Sequence, residues 1–211
     1  LITAGPTIEQ IDPIRAITNH SSGKTGVSLA KELVSAGAKV TFVYGPGKEK
    51  PPKGAKIINV LSSKEMHLAV KLELKKKFDI VIMAAAIADY VPTIQSKNKI
   101  KSSKSNMTIS LKKAPKIIDQ IKKYQKNVLL VGFKAETNLT KNQLIKSAEK
   151  KLKESSADMI IANDIGSIRY KKNPQKNQVI IVYSNKNIVS RWMDKEKIAK
   201  FIRKQIEVKI K

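Results

Sequence analysis

Six short apolar runs recur along the chain, at residues 1–4, 39–44, 57–60, 79–84, 128–133 and 159–162. Between them lie stretches whose apolar residues repeat at helical spacing. A run that stays apolar on both alternating faces suits a strand covered by helices on both sides of its sheet. The alternation therefore predicts an α/β chain with a mostly parallel sheet in a three-layer α/β/α arrangement. Residues 179–183, a β-rich run between polar turn residues, are expected to form a small added β element.

The helical segments carry their own stop and start signals. Over residues 22–36, Val27, Ala30, Leu33 and Val34 line one face, and Ala36-Gly37 marks the end. Ser62-Ser63-Lys64-Glu65 and Thr140-Lys141-Asn142-Gln143 have the hydroxyl-x-x-Glu/Gln pattern that satisfies free amides at a helix start. They predict helices over about 63–77 and 141–156. Ile198, Phe201, Ile202 and Ile206 predict a terminal amphipathic helix over 194–209. Residues 95–126 hold ten lysines and one acid, Asp119. The front of this stretch is too polar to build a core. It is expected to be a flexible flap at about 93–106, followed by a short strand at 107–111 and a helix after Pro115. Residues 1–211 are expected to act as one domain, with room for another upstream because Leu1 opens directly into a strand.

The 42 basic and 17 acidic residues give a net charge of +25. That charge invites a nucleic-acid reading. Only four of the basic residues are arginines, aromatics make up 5%, and the lysines run through nearly every segment rather than along one stripe. Base readout and single-strand stacking favour arginine and exposed rings, so no nucleic-acid partner is expected. The longest apolar run, 80–88, ends at Asp89, far short of the ~18 residues needed to cross a bilayer, and no membrane span is expected. The absence of cysteine excludes disulfides, a thiolate nucleophile and Cys-type zinc sites; a reducing cytoplasm is the expected location.

Chemistry concentrates in two windows. In Asn19-His20-Ser21-Ser22-Gly23-Lys24-Thr25-Gly26, Gly23-Lys24-Thr25 is like the end of a Walker A loop, but Thr18 stands where the first glycine belongs. A G-x-G-x-x-G is also missing after the first strand, which exits through Gly5-Pro6-Thr7. Two readings remain open here: an anion seat at a helix start, or Ser21 or Ser22 capping the helix while Gly23 and Gly26 allow close packing. In Ala84-Ala85-Ala86-Ile87-Ala88-Asp89-Tyr90, small residues and a carboxylate leave a strand at the edge where open α/β sheets bind ligands. Asp89 suits Mg²⁺ carried on a polyphosphate, or a solvated loop carboxylate. Lys99 and Lys101 stand on the flap, placed to bring an ammonium onto charge developing at phosphorus. His20 and His67 have no paired ligand or nucleophile in the sequence pattern.

Together these windows resemble the phosphopantothenoylcysteine synthetases, also called phosphopantothenate cysteine ligases, of coenzyme A biosynthesis. The resemblance covers nearly the full length. It rests on Ile2-Thr3-Ala4-Gly5-Pro6-Thr7, Asp12-Pro13-Ile14-Arg15, Asn19-His20-Ser21-Ser22-Gly23-Lys24, Ala84-Ala85-Ala86-Ile87-Ala88-Asp89-Tyr90, Lys99-Ile100-Lys101, Gly132-Phe133-Lys134-Ala135-Glu136-Thr137 and Ala162-Asn163-Asp164, in the family's order.

The resemblance implies a Rossmann-like core and a two-step ligation. The carboxylate of 4'-phosphopantothenate attacks the α-phosphorus of a nucleoside triphosphate, CTP in most bacterial members, and the amine of L-cysteine then displaces the nucleotide. By position, Asn19 and Lys99 would be catalytic, Asn19 at the acyl-nucleotide and Lys99 at activation. Arg15, Asn19 and Ala86 would bind phosphopantothenate; Gly5, Ser21, Ser22, Gly23, Asp89, Lys99, Phe133 and Lys151 would bind the nucleotide; Asp89 would hold Mg²⁺. The resemblance also implies a homodimer and a fused or separate flavin-dependent decarboxylase. Two departures stand out: Ser102 follows Lys99-Ile100-Lys101 where relatives often continue with lysine, and Ser155 and Ser156 follow Lys151 and Lys153 where relatives usually have a pair of lysines, which leaves the partner of Lys151 open. Two rival readings predict other ligands: a dinucleotide-dependent oxidoreductase, against which the missing G-x-G-x-x-G counts, and a basic nucleic-acid-binding module.

Overall fold

The computed structural model describes residues 1–102 and 105–210. Its strands are β1 (Ile2–Ala4), β2 (Ile8–Gln10), β3 (Ala16–Thr18), β4 (Thr41–Tyr44), β5 (Lys56–Asn59), β6 (Ile80–Met83), β7 (Tyr90–Pro92), β8 (Leu111–Lys113), β9 (Leu129–Glu136), β10 (Met159–Asp164), β11 (Lys176–Asn177), β12 (Ile180–Val182), β13 (Asn187–Val189) and β14 (Met193–Asp194). Its helices are α1 (Lys24–Ser35), α2 (Ser63–Glu73), α3 (Ile118–Tyr124), α4 (Lys141–Ser155), α5 (Ile168–Lys172) and α6 (Lys195–Ile210), with a 3₁₀ turn at Leu74–Lys76.

An eight-stranded sheet of order β13-β12-β10-β9-β6-β1-β4-β5 runs through the centre. Its six members from β10 to β5 are parallel and correspond to the six apolar runs of the sequence. The hairpin β12–β13 adds antiparallel to β10, which is the small extra β element expected from residues 179–183.

Both faces of the sheet are covered. On one, Val27, Leu29, Ala30 and Leu33 of α1 and Ile198, Ile202 and Ile206 of α6 pack on Ile2, Phe42, Ile82, Val131 and Ile161. On the other, Met66 and Val70 of α2 and Ile121 of α3 pack on Val43, Val81 and Leu130, and Leu144, Ala148 and Leu152 of α4 pack on Ile160, Ala162 and Ile180. Each fully buried Leu or Ile of these layers contributes about 1.5–3 kcal/mol relative to exposure.

The end signals act as the sequence predicts. Ala38 N–H donates to the Leu33 carbonyl and Gly37 N–H to that of Val34, the paired bonds of a Schellman stop, with Gly37 at φ +87°. Ser62 Oγ accepts from Glu65 N–H at the start of α2. Thr140 and Gln143 form a complete capping box on α4.

Strand order fixes where a ligand can sit. The chain leaves β1 through α1 to β4 and β5 on one side, then returns through α2 to β6 on the other side of β1. The carboxyl ends of β1 and β6 thus flank a topological switch point, the crevice in which open α/β sheets take ligands.

Three differences from the sequence reading stand out. The strand expected at 107–111 forms at Leu111–Lys113, set by pairing with β7 rather than by the apolar residues before it. The hairpin β2–β3 was not expected, although it carries Arg15 to Thr18. Of the flap expected at about 93–106, positions 103 and 104 lie outside the described residues; the segment before them is tied down by Ser96 N–H, which donates to the Ile11 carbonyl at 2.9 Å.

Candidate active site at the sheet's carboxyl edge

β1 and the loop leaving β6 run side by side past their strand ends. Ala86 N–H donates to the Gly5 carbonyl at 2.8 Å, Thr7 N–H to the Ala86 carbonyl at 3.3 Å, and Ala88 N–H to Thr7 Oγ1 at 3.0 Å. Thr18 Oγ1 donates to the Thr7 carbonyl at 2.8 Å, fastening β3 to the same strip. This brings Asn19 over it: Asn19 Nδ2 donates to the carbonyls of Ala86 at 3.1 Å and Ile87 at 3.2 Å. Those two acceptors fix the amide's orientation, because a flipped Asn19 would point oxygen at oxygen. Asn19 Oδ1 is left without a protein partner among the described residues.

The start of α1 resolves the two sequence readings in part. Gly23, not a serine, is the N-cap, at φ +79°, where an L side chain is strained, and no side chain caps the helix. Ser21 Oγ accepts from Gly23 N–H and Ser22 Oγ from Lys24 N–H, both at 3.3 Å. The hydroxyls therefore brace the turn into the helix, Ser22 taking the Lys24 amide, and leave the amides of Thr25 and Gly26 with the positive dipole end of α1. Gly26 lets α1 lie directly on β1: a Cβ there would meet Ala4 Cβ at 2.4 Å. Lys24 turns aside, donating to Gln175 Oε1 at 2.6 Å.

Asp89 follows the strip. Its side chain is 69% exposed, and its nearest ionic partner is Lys116 Nζ at 3.8 Å. No group of three or more His, Asp or Glu side chains that could hold a metal occurs among the described residues. A single open carboxylate fits Mg²⁺, which keeps several waters and shares phosphate oxygens, and does not fit a metal held by protein alone.

Lys116 also lines a second cavity. A cleft of about 780 Å³ is lined by Lys113, Lys116, Lys134, Lys150 and Lys151 against Asp119 and Glu154, with Gln120 and Ser147. Lys151, 13% exposed, donates to Asp119 Oδ1 at 3.0 Å. Ser155 is buried and donates to the Lys151 carbonyl at 2.7 Å. Lys134 pairs with Glu136 at 3.0 Å. Ser147 donates to Glu136 at 2.6 Å and, despite burial, holds that carboxyl below its usual range with help from Lys134. Phe133 is half-buried on the opposite face, packed into the layer under α1 and α6.

Arg15 and the flap meet at Asp12. The fully buried Asp12 carboxylate accepts from Ile14 N–H (2.9 Å), Arg15 N–H (2.8 Å), Arg15 Nη1 (2.7 Å) and, across the fold, Ile100 N–H (3.1 Å). Burial alone would raise its pKa; the amides of Ile14, Ile100 and Arg15 and the guanidinium outweigh burial and bring it to about 2. Arg15 Nη1 also donates to the Ile100 carbonyl at 3.0 Å. Lys99 is exposed beside this junction.

The structure thus gathers Gly5, Asn19, Ala86 and the turn of Ser21, Ser22 and Gly23 at one strip, with Asp89 just beyond it. It places Lys151 in the neighbouring cleft, Phe133 on the other face, and Lys99 on a flap fastened to the Arg15 hairpin.

A family model described as the DNA/pantothenate metabolism flavoprotein C-terminal domain matches residues 1–209. The chain belongs to that family. It is 42% identical over 206 residues to the Coenzyme A biosynthesis bifunctional protein CoaBC of Borreliella burgdorferi, a match covering 97% of this chain and 51% of that protein. The chain spans about half the length of the curated relatives it matches. Among solved structures it is similar to the C-terminal domain of a CoaBC protein, with 35% identity, a TM-score of 0.81 and coverage of 99% and 93% of the two chains. It is also similar to a DNA/pantothenate metabolism flavoprotein from Streptococcus pneumoniae, with 28% identity, a TM-score of 0.86 and coverage of 98% and 97%. These neighbours share the Rossmann-like α/β fold.

Sequence reasoning gave no role to Thr7, Asp12, Lys116 or Lys134, all of which shape the site in this family member. Asp12 was visible as Asp-Pro-x-Arg, a turn-forming pattern. Lys134 was visible as the polar alternate of Phe133 at a strand end. Lys116 gave no signal among so many lysines.

Proposed function

We propose that this chain is the ligase that joins 4'-phosphopantothenate to L-cysteine through an acyl-nucleotide, with CTP as the co-substrate. The observation that carries the reading is the strip at the β1/β6 switch point, where Asn19 is locked onto Ala86 and Ile87 beside the open amides of α1. It lies in a member of a family whose relatives are named for coenzyme A biosynthesis.

In the first step a carboxylate oxygen of phosphopantothenate bonds to the α-phosphorus and pyrophosphate leaves. In the second the cysteine amine bonds to the acyl carbon, the nucleoside monophosphate leaves, and the amine gives up a proton. Ala86 and its small neighbours let the substrate chain approach the backbone. Asn19 Oδ1 accepts an N–H from the ligand side and holds the acyl-nucleotide for the amine. The helix start with Ser21, Ser22, Gly23 and Gly5 seats phosphate. Lys99 brings its ammonium onto the charge that develops during activation. Arg15, with Nη1 committed to Asp12 and the flap, offers its remaining nitrogens to phosphopantothenate. Asp89 would hold Mg²⁺ as it arrives on the triphosphate, and the metal would neutralise phosphate charge. The lysine-rich cleft of Lys151, Lys134 and Lys116 takes the remainder of the nucleotide, with Phe133 supporting the strand beneath it.

The same reading makes the protein a homodimer acting in the cytoplasm, with residues 1–211 as its synthetase domain and a flavin-dependent decarboxylase fused or supplied separately. Exposed Ile14, Tyr90, Ile94, Met107 and Leu111 on and beside the hairpins support self-association. The deciding experiment is pyrophosphate production from each nucleoside triphosphate with phosphopantothenate, with and without cysteine. Release that requires phosphopantothenate and is strongest with CTP is the expected result; none with any nucleotide refutes the reading.

A further inference from the structure

Asp12 is a buried carboxylate at which two distant parts of the chain are fastened. Its Oδ1 holds the β2–β3 turn through the amides of Ile14 and Arg15. Its Oδ2 accepts from the Arg15 guanidinium and from the Ile100 amide, 88 residues on. Arg15 closes the ring by donating to the Ile100 carbonyl. Ile100 is thus held on both its N–H and its C=O, and its neighbour is Lys99. No side chain described in residues 95–102 has a hydrogen bond to the body of the fold; the remaining tie is the Ser96 amide on the Ile11 carbonyl, which holds the flap's start.

We propose that Asp12 is a positioning residue: it pins the flap at Ile100 and so sets where Lys99 stands when the triphosphate is bound. Asp12 touches no substrate. Its four bonds are made to a charged acceptor, the kind whose loss costs most, and they fix a lysine that has no ion-pair partner among the described residues. The proposal rests on the ligase reading for the task of Lys99 and on geometry alone for the pin.

The two oxygens have separate duties, so the test is selective. Asp12→Asn keeps Oδ1 as acceptor for the turn and replaces Oδ2 with a donor that faces Ile100 N–H and the guanidinium. Ile100→Pro removes the flap's donor and leaves Asp12 and its turn intact, which covers the case in which Asp12→Asn fails to fold. Hydrogen exchange by mass spectrometry in a peptide spanning 96–102 should speed up about tenfold or more in Asp12→Asn, the equilibrium effect of one charge-accepted hydrogen bond. Pyrophosphate release should slow by a similar factor in both variants while the nucleotide KM moves less than about threefold, since the triphosphate seat lies on the sheet edge. Unchanged exchange in Asp12→Asn overturns the pin, whatever the chemistry. Faster exchange with wild-type release, or a loss confined to KM, overturns the positioning of Lys99. Absence of pyrophosphate release from the unaltered protein sinks the ligase reading and the task given to Lys99 together, and is distinguished from the first failure by the exchange result.

Discussion

Asn19 Nδ2 and the Ala86 carbonyl, 3.1 Å apart, join the end of the β2–β3 hairpin to the loop leaving β6, two segments 67 residues apart. The bond turns a polar residue in an otherwise unpatterned stretch into a fixed acceptor over the switch point. Replacing the amide by a carboxylate puts oxygen against the carbonyls of Ala86 and Ile87. Asn19→Asp should therefore slow amide formation by about tenfold or more while the acyl-nucleotide still forms and accumulates. Rapid-quench separation of the acyl-nucleotide from the final amide checks this, and wild-type turnover would remove Asn19 from the mechanism.

Lys99 is expected to act before cysteine enters. Lys99→Gln leaves a polar side chain one bond shorter and removes its charge, so pyrophosphate release from the nucleotide should be abolished in the presence of phosphopantothenate and magnesium. Release at the unaltered rate would mean that the flap serves another purpose.

Lys151 and Asp119 offer a prediction of opposite signs. Their ion pair, 3.0 Å long and partly exposed, contributes at most about 1 kcal/mol to stability, so its two members are separable. If the cleft takes the nucleotide, Lys151→Gln should raise the nucleotide KM severalfold, and Asp119→Asn, which frees the ammonium and removes a negative charge, should lower it. Equal shifts in one direction would assign the pair to packing of α3 on α4.

The sequence and the structure agree where burial dictates pattern. The six parallel strands read as continuous apolar runs because helices cover both faces, and α1, α2 and α4 carry stop and cap residues whose bonds are local. Agreement fails where long-range backbone pairing decides. Met107 and Leu111 predict a strand at 107–111, yet neither is buried, and the ladder settles on Leu111–Lys113 because Tyr90 to Pro92 pair there. The strip of the site was legible as windows 19–26 and 84–90. Their contact was not, since nothing local in Asn19 announces Ala86 as its partner. Phe133 and Lys151, which the resemblance gives to one nucleotide, start from opposite faces of the sheet: strand alternation sends Phe133 to the layer under α1 and α6, and α4 carries Lys151 on the other side.

Gly26 tests how closely the seat depends on packing. The 2.4 Å approach of a Cβ to Ala4 leaves no room for even one methyl group, and both partners are buried. Gly26→Ala should cost about 1–3 kcal/mol in thermal or chemical unfolding, against the gain that alanine ordinarily brings to a helix. A neutral or stabilising result would show that α1 does not lie on β1 as described.

Acid stability gives the last expectation. The Asp12 carboxyl falls from its ordinary 3.8 to about 2 in the folded chain. A folded-state value below the unfolded one means that the charged form favours folding; its stabilisation is complete above the unfolded pKa and is lost as pH falls through the folded one. The unaltered protein should therefore exceed Asp12→Asn in melting temperature by a margin that is constant at neutral pH, starts to shrink near pH 4 and has closed once the pH is below about 2. Parallel unfolding curves across that interval would show that the carboxylate is not charged in its nest of amides. A margin that shrinks instead between pH 5 and 7 would place the titrating group elsewhere.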